Sequence, residues 1–364
     1  MSKQYEVKAI TKKELQDALN NNALWKDSLA PMPKSKTAWL VSSPRIDDND
    51  CCGVLGYENG KMVCFVYMVP DYLNSDNSTR KIYWMLHWWV DDAIKNTIFG
   101  PYVYNEAVNL ANKQVIIKAY AETAADFYKK QPFDIIASRL RHTIFFSIDK
   151  SILKGRFPFL KHFNALITLL DTMSYSVLGF INKSKNKKRT SHLKYEYVNE
   201  LNEVTWRFIE PFCKNDVIHK TKAYVNWQIS SLQYTQTLTK KQPYTALETG
   251  NSANINIHSF TVIENSKIIG FISYTVNYNE CNIKYFLAEE AHYNSCVDAL
   301  IENMYVNKSK FMFTDDTKLA DTITKRYKNI YTHKATKKGL AHKQMALDLN
   351  KQELTLHDRD GHFY

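Results

Sequence analysis

The sequence predicts an α+β protein made of two tandem copies of one βββαβα unit. Three observations carry this. A hairpin at Val54–Tyr57, Glu58-Asn59-Gly60-Lys61 and Met62–Val69 recurs without a gap as Phe260–Ile263, Glu264-Asn265-Ser266-Lys267 and Ile268–Ile272. Asn-Gly between apolar runs is the strongest short hairpin signal. Downstream of each hairpin the order strand, helix, strand, helix repeats. Finally, hydrophobic residues make up 45% of the 364 residues while Gly and Pro are few, so the chain can bury a sizeable core.

In order, Lys12–Asn20 reads as a helix, with Thr11 and Glu14 in capping-box spacing. Leu24–Thr37, broken by Pro31 and Pro33, reads as loop. Pro70-Asp71 is expected to stop the second hairpin strand, and Asn74–Thr79 to be a loop. Ile82–Val90 is apolar at alternate and intervening positions, the pattern of a buried central strand. Pro101 then opens a helix whose Val103, Ala107, Leu110 and Ala111 form a stripe. Val115–Lys118 is a strand, and Ala124–Tyr128 starts a helix. Phe159–Ile181 is a largely apolar helix followed by the basic run Lys183–Arg189, read as a linker. Tyr197–Phe212 reads as the first helix of the second copy. Ile283–Ala288, Ala291–Asn303 and Phe311–Phe313 continue it as strand, helix and strand. The C-terminal His357–His362 reads as a polar tail.

The stretch from Ile82 to Tyr128 resembles the acyl-CoA-binding core of the GCN5-related N-acetyltransferases, the GNAT superfamily. Lys95-Asn96-Thr97-Ile98-Phe99-Gly100 aligns with that family's Gln/Arg-x-x-Gly-x-Gly/Ala loop, and Ala124–Tyr128 with its Ala-x-x-Phe-Tyr-type motif. Lys95 replaces Gln or Arg, and Ile98 replaces the first Gly. The resemblance implies a mixed-sheet α/β/α fold in each copy, with a GNAT-like domain over 1–150, a connecting helix and basic linker over 151–192, and a second GNAT-like domain over 193–364. It implies an acyl-CoA-dependent N-acyltransferase, with acetyl-CoA or a longer acyl-CoA as co-substrate and a small amine such as an amino sugar as acceptor. Residues 95–100 would hold the pyrophosphate, Trp88, Trp89 and Val90 would line the pantetheine, and Tyr128 would protonate the leaving thiolate. His87 is the leading candidate base, since imidazole titrates near neutrality. Ala223–Trp227 also resembles a Tyr-Leu-Asn-Trp-Arg stretch of some acetyltransferases, with Gln228 in place of Arg.

The second copy carries Glu289-Glu290 where the loop would be, and two carboxylates repel pyrophosphate. Catalysis is therefore expected in the first copy. No metal is expected, because no clustered ligands appear. The net charge of +11 suits an anionic co-substrate, whereas lysines spread over the whole chain are not the footprint of a nucleic-acid site. The six cysteines form no C-x-x-C pair, and Ser2–Asn22 is polar rather than a signal sequence, so a reduced, cytoplasmic protein is expected. The segment 159–189 joins an apolar helix to clustered lysines, a pattern that also suits peripheral membrane contact. Two other functions fit: a non-catalytic binding protein of this fold, and a tandem-fold aminoacyl transferase using charged tRNA.

Overall fold

The computed structural model describes residues 3–74, 80–150, 153–154, 157–234, 245–246, 255–361 and 363. The loop read over 75–79 and His362 lie outside them. Twelve strands form one sheet: β1 Tyr5–Thr11, β2 Cys51–Glu58, β3 Lys61–Leu73, β4 Arg80–Val90, β5 Val115–Ile117, β6 Phe133–Phe145, β7 Lys194–Tyr197, β8 Asn256–Glu264, β9 Lys267–Asn277, β10 Glu280–Ala288, β11 Phe311–Thr314 and β12 Tyr331–His342. Their spatial order is β1-β2-β3-β4-β5-β12-β6-β11-β10-β9-β8-β7. The order is nearly a mirror of itself, because the last strand of each half crosses to the other. β12 pairs with β5, β6 pairs with β11, and β6 and β12 pair with each other along their whole length.

The described α-helices of six or more residues are α1 Lys12–Asn21, α2 Lys34–Val41, α3 Phe99–Leu110, α5 Asn164–Thr190, α6 Glu203–Ile209, α7 Lys222–Ile229, α8 Tyr293–Val306 and α9 Thr317–Arg326, with the single turn α4 at Ala125–Tyr128. In the first half, α3 packs on one sheet face, while residues of α1, α2, α7 and the C-terminal tail pack on the other. The core of the second half lies between β8–β10 and α8 and α9, with α6 and α7 on the opposite face.

The expected hairpins form in matching register. Glu58 pairs with Lys61 and Glu264 with Lys267, and both turns use left-handed residues, Asn59 and Gly60 in one and Asn265 and Ser266 in the other. The match extends to the irregularities. Between β3 and β4 the register slips at Tyr67/Met68 and leaves Leu86 over; between β9 and β10 it slips at Ser273/Tyr274 and leaves Lys284 over.

Several local expectations are corrected. α2 begins inside the predicted loop, with extended Pro33 at its N-cap. Pro70 and Asp71 continue β3 rather than ending it. Pro70 lies beyond the last β2 pairing at Tyr67, so its missing N–H removes nothing from that ladder. The basic run 183–189 is the last part of α5 and not a linker. Over 194–213 the chain forms β7 and then α6 rather than one helix. Leu110 is 43% exposed, outside the buried stripe of α3.

The C-terminal tail is a buried crosspiece, not a solvated end. Arg359 makes a bidentate pair with Asp216, with Nε at 2.7 Å and Nη2 at 2.5 Å, and Asp360 pairs with Lys220 at 2.7 Å. Phe363 packs against Trp39 and Trp227, which stack at 4.2 Å. Each of those indoles donates to the other's carbonyl, so the Trp of the Ala223–Trp227 stretch is a core residue tying α7 to α2. All six cysteines are buried and unpaired.

Candidate active site

In each half, two parallel strands start together and then diverge. β4 meets β5 only at Tyr83/Trp84, and β10 meets β11 only from Glu280/Phe311 to Asn282/Phe313. Past those points the sheet opens into a wedge in each half, and just there the first of the two strands carries its leftover bulge residue. A bulge breaks the ladder locally and re-aims side chains, which is why bulges concentrate beside active sites.

The first wedge holds most of the residues expected from sequence. The bulge at Leu86 resets the alternation of β4, so Trp88 and Val90 face α3 while Trp89 turns to the opposite core. The three are thus not brought to one face. Trp88 lies 5.1 Å from the Tyr104 ring and 4.7 Å from Phe127, and Tyr128 touches Tyr104, Tyr120, Phe127 and Phe133. The first wedge is packed with rings. Burial pushes the Tyr128 phenol up to about 12, so it is protonated at neutral pH. His87 sits half-buried on β4, opposite Tyr67.

The loop ahead of α3 is exposed from Lys95 to Ile98. Lys95 pairs with Asp92, and the Thr97 hydroxyl accepts from the Phe99 N–H. α3 has no side-chain N-cap and no acid in its first turn, which leaves its positive end open to an anion. Gly100 has a packing reason: an added Cβ would lie 3.0 and 3.3 Å from the Val90 methyls. The carboxylates offered as the difference between the halves do not separate them. Asp91-Asp92 follow β4 as Glu289-Glu290 follow β10, and Lys61 pairs with Asp91 as Lys267 pairs with Glu289. What differs is the loop, since four more residues, 95–98, precede α3.

The second wedge is open. Between β10 and β11 lies a cavity of about 570 Å³, closed by residues 138–140 of β6, the start of α9 and tail residues 355–359. Lys284, the bulge residue, reaches it with 2% of its surface exposed. Burial, then the Lys36 and Lys118 cations, bring its ammonium down to about 7. It donates to the Gln228 carbonyl at 3.4 Å. A bulge that carries Leu86 in one half therefore carries a readily neutralised amine in the other. Around it, Arg139 and Arg141 grip Asp315, with Arg141 Nε at 2.8 Å. Burial would raise Asp315, but these guanidiniums overcome it and hold it below the usual carboxylate range. Burial followed by Asp315 pushes Asp358 up, and burial followed by Arg359 brings His357 down to about 4, so this imidazole is neutral. The Asp358 carboxylate accepts from the Thr314 hydroxyl at 2.7 Å, and its carbonyl from Lys118 at 2.6 Å.

Sequence reading missed this site. Lys284 looks like one polar residue in a strand, and only its alignment with Leu86 under the repeated hairpin would have marked it. Arg139, Asp315 and the tail come together through the strand exchange, which has no local signal.

No family model matches the chain, and no curated protein matches it. Among solved structures it is similar to a GCN5-related N-acetyltransferase from Anabaena variabilis, at 9% identity and TM-score 0.48 over 93% of this chain and 72% of that one. It is similar to another from Kribbella flavida, at 9% and 0.45 over 93% and 71%. It is also similar to a structure of a glucosamine N-acetyltransferase region in a fungal multi-domain β-N-acetylglucosaminidase, at 10% and 0.46 over 93% and 38%. These likenesses concern the path of the chain; the architecture above stands on its own strand pairing.

Proposed function

We propose that the chain is an N-acyltransferase, built from two copies of one unit with boundaries near residues 150 and 193, that moves an acyl group from acyl-CoA to a small amine such as an amino sugar. The observation that carries this reading is the open wedge with Lys284 at its bulge. Acyl transfer to an amine needs a base for the ammonium proton and an acid for the leaving thiolate. In its neutral form Lys284 takes the proton as the amine nitrogen bonds to the carbonyl carbon. It returns that proton to sulfur as the C–S bond breaks. A group titrating near the working pH serves both steps. The polar lining of Arg139, Thr317, Lys318 and His357 suits a hydrophilic acceptor.

The second reading keeps the chemistry in the first half, where the uncapped start of α3 favours it. There Lys95–Gly100 would hold pyrophosphate, Trp88 and Val90 would line pantetheine, Tyr128 would act as acid and His87 as base. No metal takes part in either reading, and a cytoplasmic setting fits the six buried thiols.

The test is a thermal-unfolding series with acetyl-CoA, longer acyl-CoAs and CoA, followed by mass spectrometry of amine mixtures. A donor at about 100 times its dissociation constant adds about 2.7 kcal/mol. A stabilised protein that yields an acylated amine supports the proposal. Transfer only from charged tRNA, abolished by ribonuclease, would replace acyl-CoA as donor. Binding without transfer would leave a binding protein of this fold.

A further inference from the structure

Helix α5 is amphipathic the wrong way round for a soluble protein. Its docked face is polar. Asp171 pairs with Lys310 at 2.6 Å, Asn182 donates to the Tyr305 hydroxyl and the Lys328 carbonyl, and Asn186 donates to the Asp298 carbonyl. Gly179 lets it lie against the Tyr305 ring, at 3.6 Å from where a Cβ would stand. The outward face is apolar: Phe163, Leu166, Leu170, Met173, Val177 and Phe180 are each between 44% and 77% exposed. They follow one another at spacings of three and four, with Phe163 and, one step earlier, Phe159 in the preceding 3₁₀ segment. At 100° per residue the five within α5, from Leu166 to Phe180, fall in one sector. Lys187 and Lys188 continue that sector at the C-terminal end, and Lys183 and Lys185 stand at its two sides.

We infer that α5 is a membrane-surface helix that seats this face in the interface of an anionic lipid bilayer. Apolar rings and aliphatic chains would enter the acyl boundary, while the lysines at one end and both sides would meet acidic headgroups. By length and composition α5 could also cross a bilayer. Its fastening argues for lying flat, because hydrogen bonds and an ion pair hold it to the second half from Asp171 to Asn186 and a spanning helix would draw those groups into hydrocarbon. A second copy of the chain is a poorer occupant. The positions flanking the row, Ile167, Ser174 and Ile181 on one side and Leu169, Ser176 and Lys183 on the other, carry no acid to pair with a lysine and so set no coiled-coil register. The inference stands apart from the acyl-transfer reading.

The test is co-sedimentation of the full chain with vesicles of phosphatidylcholine alone and of phosphatidylcholine with phosphatidylglycerol. Binding to the anionic vesicles that weakens with salt is expected. The triple variant Leu170→Glu/Val177→Glu/Phe180→Glu should bind at least about tenfold more weakly with an unchanged melting temperature. The pair Lys187→Gln/Lys188→Gln should lose the preference for anionic lipid while keeping the fold. Absence of wild-type binding, or equal binding by the triple variant, would overturn the inference. So would a solution dimer that the triple variant dissolves.

Discussion

Lys284 is the residue on which the proposed chemistry rests, and it has a thermodynamic signature. An unfolded lysine holds its proton up to about pH 10.4, whereas the buried one gives it up near 7. Between those values the unfolded chain binds more protons, so stability rises with pH. Below about 7 both states are protonated and the full cost of the buried charge is present. Lys284→Met should therefore raise the melting temperature at pH 7 by at least about 2 °C, and the gain should shrink toward pH 10. Calorimetry at the two pH values checks this, and a variant less stable than wild type at pH 7 would contradict it. Tyr128 differs in kind. It is a ring in an aromatic cluster, and its hydroxyl is kept protonated by burial.

At the scale of elements, helices sit on the sheet at two glycines. A Cβ on Gly56 would meet the Val103 methyl at 2.8 Å and the Phe99 ring at 2.9 Å on α3. One on Gly270 would run into the Cys296 sulfur on α8. Gly270→Ala should destabilise by about 1–3 kcal/mol, as overpacking does, seen as a lower denaturant midpoint with an unchanged slope; a neutral result would mean that α8 slides freely on β9. These contacts also show why some elements were legible and others not. The hairpins announced themselves through Asn-Gly and Asn-Ser turns between apolar runs, and the Thr11–Glu14 capping box forms as read. β6 and β12 did not, because over much of their length they carry exposed or half-exposed polar residues such as Arg139, Arg141, Lys334 and Lys337, and their pairing is with each other across the chain. Trp88, Val90, Tyr128 and the 95–100 loop were found as a neighbourhood by pattern. That rings fill their wedge depends on packing no pattern reports.

For the whole molecule, the halves are joined by strand exchange, by the Trp39–Trp227 stack and by the tail. Asp216 lies at the tail's anchor, where it holds Arg359 in a site sealed from water. Asp216→Ala leaves that guanidinium buried and unpaired, and should cost about 3–5 kcal/mol in chemical denaturation; a loss below about 1 kcal/mol would mean that this pair is not what anchors the tail. The same junction closes the second wedge, so the site exists only in the assembled chain. The most direct measurement compares acyl-transfer rates of wild type, Lys284→Met and Tyr128→Phe under one donor and one amine. Loss of general base catalysis should lower kcat for Lys284→Met by about 10²–10⁴-fold, with donor binding retained and Tyr128→Phe close to wild type. A collapse in Tyr128→Phe with Lys284→Met unaffected would contradict the account and return the chemistry to the first half.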